Sequence, residues 1–154
     1  MQALKCGLGG RMASIVTDGS DQPLILFDGI CNLCESTVRF IIGRDKKARF
    51  RFAALQSAAA RQWLSDHRYA DDELSSVLLI VDGKLYGKSR AGLQIAKRLD
   101  GAWPLLYYLF FWVPQFVANP IYDFIGSRRY KWFGQKDACW IPTEDLRRRF
   151  VDDP

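Results

Sequence analysis

Apolar residues in this chain come in short blocks whose spacing switches between strand and helix periods. Pro23–Phe27 (PLILF) is a continuous apolar run ended by Asp28-Gly29, which reads as a buried strand entering a turn. Within Glu35–Ile42, Val38, Ile41 and Ile42 recur at helical spacing and predict a helix from Cys31 to Gly43. Arg44–Lys47 is a charged loop, and Arg49-Phe50-Arg51-Phe52-Ala53 alternates as a strand does. Ser57–Asp66 predicts a second helix with Ser57 as its N-cap. Leu74–Val81 reads as a further strand, Asp82-Gly83 as a tight hairpin turn and Lys84–Gly87 as the return strand. Ser89 is placed to cap a helix over Arg90–Leu99 that buries Leu93, Ala96 and Leu99. The resulting order is β-α-β-α-β-β-α, with apolar helices after Gly101.

Trp103–Ile125 is the most apolar region. Its longest unbroken run, Leu105–Val113, has nine residues, against the roughly 20 that a bilayer-spanning helix needs. Pro104, Pro114 and Pro120 interrupt it, so two short apolar helices packed on the domain are expected, with no integral membrane span. Residues 1–22 lack the apolar stretch of about 7–15 residues that marks a secretory signal, and read as a flexible extension. The chain's 154 residues suit a single domain over 23–150, with a core at 23–100 and a C-terminal helical extension at 101–150. Hydrophobic residues at 49% and charged residues at 25% exclude wholesale disorder. The net charge of +5 is only mildly basic. Arg44–Arg51, Arg128–Lys131 and Arg147–Arg149 are interspersed with acids and carry no nucleic-acid motif, so they read as solvated faces and no nucleic acid is expected as a partner. Without an export signal the expected location is the cytoplasm, where paired cysteines point to redox or metal chemistry more than to structural bridges.

The chemistry concentrates in Phe27-Asp28-Gly29-Ile30-Cys31-Asn32-Leu33-Cys34. A Cys-x-x-Cys sits where the first strand hands over to the first helix. The unpaired N–H groups of a helix's first turn carry partial positive charge, so a sulfur there is stabilised as thiolate. Cys31, at the helix start, is expected to be the more exposed sulfur and the nucleophile. Cys34, one turn in, is expected to be shielded and to resolve a mixed disulfide. Asp28, at the end of a buried strand, either takes a proton from Cys34 and returns it or simply caps the turn. Asn32 and Leu33 tune the potential. Half of a zinc site, or two buried structural thiols, remain alternatives on spacing alone. The other candidate zinc ligands, Cys6, His67 and Cys139, are scattered singletons. Cys139 reads as a packed small hydrophobe beside Trp140 or as a third redox thiol. Tyr107, Phe110, Phe111, Trp112 and Phe116 either line an apolar groove over the dithiol or belong to the core.

The stretch LILFDGICNLCESTVRFIIGRDKKARFRFAALQS resembles the start of the DCC family of thiol-disulfide oxidoreductases, whose Asp-x-x-Cys-x-x-Cys signature is matched by Asp28, Cys31 and Cys34. The resemblance continues through SSVLLIVDGKLYGKSRAGLQIAKRL and YDFIGSRRYKWFGQKDACWIP and covers roughly Leu24 to Phe150. It implies a thioredoxin-like fold, which also has the element order read above, and dithiol–disulfide exchange. Thioredoxins place a cis-proline before the third strand of this core, facing the cysteine pair. Here Leu74-Ser75-Ser76-Val77 has none, so a trans bond is expected and Ser75 or Ser76 would face the sulfurs and the substrate.

The expected activity is therefore that of a small oxidoreductase exchanging electrons between Cys31–Cys34 and a protein or small-molecule disulfide. It needs no bound cofactor or metal, because the pair carries both electrons. A separate dithiol system would reduce it again. The competing expectation is a non-catalytic thioredoxin-like interaction module whose thiols stay inert.

Overall fold

The computed structural model describes residues 22–66, 77–134 and 144–151. Within them, β1 (Leu24–Phe27) leads into α1 (Asn32–Arg44), followed by β2 (Arg51–Ala54), α2 (Ala58–Asp66), β3 (Leu78–Val81), β4 (Lys84–Tyr86) and α3 (Lys88–Arg98). The C-terminal part adds α4 (Trp103–Phe110), α5 (Gln115–Phe133) and α6 (Glu144–Arg147). The four strands form one sheet in the order β2-β1-β3-β4. β2 lies parallel to β1, Ile25 opposite Phe52, and β3 and β4 run antiparallel. This mixed α/β architecture is compatible with the thioredoxin-like fold.

Alternation along β1 explains the layering. Ile25 and Phe27 face one core with Val38 and Ile41 of α1, Phe50, Phe52 and Ile95 of α3, while Leu24 and Leu26 face a second core with Ala60, Trp63 and Leu64 of α2. All four β1 side chains are buried, so an uninterrupted apolar run is what a strand covered on both faces requires. Ser57 caps α2 as its hydroxyl accepts the Ala60 N–H at 3.1 Å. Asp82 and Gly83 both take positive φ, 50° and 70°, the twist a two-residue hairpin needs.

Several expectations are corrected. Ser89 does not cap α3: the helix begins at Lys88, two residues earlier than expected, behind Gly87, and the Ser89 hydroxyl donates to Asn119 of α5 at 2.7 Å. On that helix Ala91, Ile95 and Leu99 are the buried positions, whereas Leu93 and Ala96 are half-buried. The C-terminal helices are not both short, because α5 runs through Pro120 for 19 residues. Proline there withholds its own N–H and its ring crowds the carbonyl of Phe116, yet the helix continues to Phe133. Nor are their aromatics core: Trp112 is 86% and Phe116 78% exposed, and α4 buries no residue fully. α4 packs along α3, where Lys97 lies over the Tyr107 ring at 4.9 Å, and its start is anchored where Trp103 meets Phe40 edge-to-face at 4.9 Å and the Arg44 guanidinium lies 3.6 Å from the centre of the Phe40 ring. No helix among the described residues is long and apolar enough to cross a membrane.

The free edge of β2 is covered by the chain's end. Phe52 N–H donates to Arg149 C=O at 2.8 Å and Val151 N–H to Phe52 C=O at 2.9 Å. Asp45, 2% exposed, secures this arrangement by accepting from Phe50 N–H at 3.0 Å and from the Arg149 guanidinium. Replacing it leaves a buried donor and a cation unanswered. Asp45→Ala is expected to lower stability by about 2–3 kcal/mol, read from the midpoint of urea unfolding; a loss near zero would mean the edge is held by its backbone bonds alone.

Candidate functional site

The turn Asp28-Gly29-Ile30 delivers the cysteine motif to the mouth of α1. Cys31 is the residue that caps this helix: its backbone is extended (φ −90°, ψ 117°) and its sulfur accepts the N–H of Cys34 at 3.3 Å. The spacing of three thus does what an N-cap does with oxygen, and brings the two sulfurs together on one turn. Glu35, in the same first turn, adds an acidic group where the helix dipole favours one, and is held by Arg39 at 2.7 Å. No metal-binding group of three or more His, Cys, Asp or Glu side chains occurs among the described residues.

The expected difference in exposure between the sulfurs is not found. Cys31 is 1% and Cys34 4% exposed, and both belong to the core on the α1–α3 side of the sheet. The cause is α5, whose Phe133 C=O takes the Asn32 amide and whose Arg129 reaches Asp28, so that the helix start is covered as fully as the position one turn in. Burial, together with the hydrogen bond to Cys31, pushes the Cys34 thiol up to about 12, even though the Arg129 charge draws it down.

Asp28 is buried at the end of β1, and its carboxylate is fully engaged. Oδ1 accepts from Ile30 N–H at 3.2 Å and from Gln56 Nε2 at 2.8 Å; Oδ2 accepts from Arg129 at 3.1 Å and from the Tyr130 hydroxyl. The Asp28 and Arg129 side chains are each 6% exposed. Arg129 also donates to the Tyr130 oxygen at 2.6 Å. Burial works against the Arg129 charge, but the bond to Tyr130 and the attraction of the neighbouring sulfurs leave the guanidinium above its ordinary value. Tyr130 is raised too, by burial and then by its bond to Asp28.

Gln56, Arg129 and Tyr130 were not singled out from the sequence as site residues. Arg128–Lys131 read as a solvated basic face, and Arg128 and Lys131 are exposed, but Arg129 is turned inward. The signal was its spacing from Tyr122 and Gly126, at seven and three residues, which puts all three on the inward face of α5. Asn32, expected to tune the potential, donates to Phe133 C=O at 2.8 Å and ties the end of α5 to the start of α1. That contact needs Gly134, which takes φ 77° and whose Cβ would lie 3.3 Å from the Asn32 amide nitrogen. Ser75, Ser76, Cys139, His67 and Cys6 lie outside the described residues, as do residues 1–21.

A cavity of about 440 Å³ opens beside the pair. Cys34 and Arg129 form part of its wall, and Phe40, Leu93, Trp103 and Phe110 make it apolar. Of the five aromatics expected in a groove over the dithiol, Phe110 lines this cavity, while Phe111, Trp112 and Phe116 face outward.

Two neighbouring cysteines thus sit at a helix mouth, backed by a buried carboxylate, on a mixed α/β scaffold. The chain belongs to the DCC1-like thiol-disulfide oxidoreductase family, whose model matches residues 25–135. It is 41% identical over 128 residues to the uncharacterized protein YuxK of Bacillus subtilis, covering 83% of this chain and 93% of that one. It is 39% identical over 118 residues to a chloroplastic DCC family protein of Arabidopsis thaliana, covering 77% of this chain and 69% of that one. No solved structure matches it.

The raised Cys34 thiol has a consequence for stability. Folded Cys34 keeps its proton up to about 12, whereas an unfolded thiol releases it near its ordinary value of 9.0. Between these values the unfolded chain binds fewer protons, so stability that is complete below pH 9.0 is lost as pH rises toward 12. Tyr130 acts in the same direction. Urea unfolding midpoints are expected to fall across this alkaline window and to fall less steeply in Cys34→Ala; identical slopes would contradict a protonated, buried Cys34.

Proposed function

We propose that the protein is a thioredoxin-like, cytoplasmic oxidoreductase whose Cys31–Cys34 pair exchanges electrons with a disulfide substrate. The observation that carries this reading is the sulfur cap: Cys31 accepts the Cys34 N–H at 3.3 Å while the Cys34 thiol is pushed up to about 12. One sulfur sits where a helix stabilises negative charge, and the other retains its proton until needed.

In the proposed cycle the Cys31 thiolate bonds to one substrate sulfur, and the other leaves as a thiolate and takes a proton. Cys34 then loses its proton and bonds to Cys31, releasing the second substrate sulfur as a thiol. Two electrons have passed to the substrate and the pair is a disulfide, which an external dithiol system reduces. Asp28 is the proposed acceptor of the Cys34 proton, a role in which one of its four donors has to give way. Arg129 assists as the positive charge that draws the Cys34 thiol down against burial. Ser75 and Ser76 are retained as proposed substrate contacts.

The competing reading, an interaction module with inert thiols, draws on the outward-facing Phe111, Trp112 and Phe116. Alkylation of Cys31 decides between them: a rate at neutral pH no faster than that of free cysteine would favour the module. Cys31→Ser is expected to abolish disulfide reduction, and Cys34→Ser to stop after one turnover with the substrate held as a mixed disulfide. Full multiple turnover by Cys34→Ser would contradict the resolving step. Asp28→Asn is expected to slow resolution by about 10²-fold, the lower range of general acid–base effects, while rapid-quench measurement shows the first attack preserved. Resolution at the wild-type rate would remove Asp28 from the chemistry.

A further inference from the structure

We propose that the cavity beside Cys34 is the substrate seat and that it takes a small, uncharged, apolar disulfide in preference to a polypeptide or a charged disulfide; this rests on the exchange reading above. Both sulfurs are sealed from bulk water, at 1% and 4% exposure, so a disulfide on a protein surface does not meet them as they stand. Cys34, however, forms part of the cavity wall. The volume of about 440 Å³ falls within the roughly 300–1,000 Å³ of small-molecule sites.

The wall also selects on charge. Its two cations are already answered, Arg129 by Asp28 at 3.1 Å and Lys88 by Asp123 at 3.0 Å. A carboxylate brought in would be desolvated without a free counter-charge on that wall. One polar group remains unanswered: the buried Nε of Arg129 has no hydrogen-bond partner among the described residues. Cys31 does not line this wall, so the seated disulfide reaches it only by a local shift of the first turn of α1; as Cys31 then bonds to one ligand sulfur, the departing sulfur gains negative charge beside the Arg129 guanidinium. The departing sulfur then takes a proton, Cys34 gives up its own and closes on Cys31, and the ligand leaves as a dithiol carrying both electrons.

Gly92 and Gly126 line the cavity, and a Cβ at either meets nothing within 4 Å. A leucine there enters open space on a helix, so it fills the cavity without straining the fold. Lipoamide, a cyclic disulfide on an aliphatic chain with an uncharged amide, is the reactive probe; glutathione disulfide is the charged comparison, and octanamide the sulfur-free one. Lipoamide is expected to be reduced with a kcat/KM about tenfold or more above that of glutathione disulfide, and Gly126→Leu to raise its KM by a similar factor, the effect of an obstructed apolar pocket. Octanamide binding, followed by titration calorimetry, is expected in wild type and lost in Gly126→Leu. Gly92→Leu serves as the second variant, and thermal unfolding reports on the fold of both. Octanamide binding that the leucines abolish supports the seat even where no disulfide is turned over, in which case the exchange reading fails alone. Disulfide reduction with equal preference for both substrates, unaffected by either leucine, overturns the seat and leaves the exchange reading intact.

Discussion

A carboxylate buried at the end of a β-strand has to be answered by a cation, and here the answer comes from α5, 101 residues further along the chain. The Asp28–Arg129 contact joins the cysteine-bearing turn to the C-terminal helix, with Tyr130 and Gln56 taking the remaining acceptor positions. Neither partner is tolerable alone at 6% exposure, since an uncompensated buried charge costs several kcal/mol. The docking of α5 and the burial of the dithiol are therefore one event. Asn32 reinforces it from the other side by holding Phe133, so the helix that carries the sulfurs is gripped at its mouth from both ends of the same short stretch of α5.

That grip sets the electrostatics of the pair. Opposed influences meet at Cys34: burial and the bond to Cys31 hold its proton on, Asp28 adds to them, and Arg129 alone pulls the other way. Burial prevails, which is why the thiol stands at about 12 despite a guanidinium close by. Asp28 largely neutralises that guanidinium, so its effect on the sulfur is what remains after the ion pair is formed. The arrangement separates the two cysteines by environment rather than by exposure: one receives a backbone N–H at a helix mouth, and the other receives none.

Where the sequence was legible, the reason is local. The β1 run, the Ser57 cap and the Asp82-Gly83 turn each depend on neighbours within a few residues, and each occurs where the pattern placed it. The spacing of Cys31 and Cys34 likewise sufficed to put both at the start of α1. What failed depended on distant partners. Ser89 looked like a cap because nothing near it shows that Asn119 takes its hydroxyl. Arg129 looked solvated because its run, Arg128 to Lys131, is charged, and only the helical phase of α5 turns one arginine of that run inward. The relative exposure of the two sulfurs was misjudged for the same reason, since α5 was not expected to pack over them.

The glycines that α3 and α5 place along the cavity, Gly92 exposed and Gly126 half-buried, bear on the same point. Gly92 and Gly126 lie inside helices, where each costs about 0.5–1 kcal/mol relative to alanine. Neither takes a positive φ, so backbone conformation does not require glycine, and neither is crowded, so close approach does not require it either. What both supply is space, and the space is the cavity that Cys34 borders. The chain gives up helix stability twice around one hollow, beside Cys34 and an Arg129 Nε with no partner among the described residues; this packing fault falls where the exchange chemistry is proposed, and the proposed seat gives it an occupant.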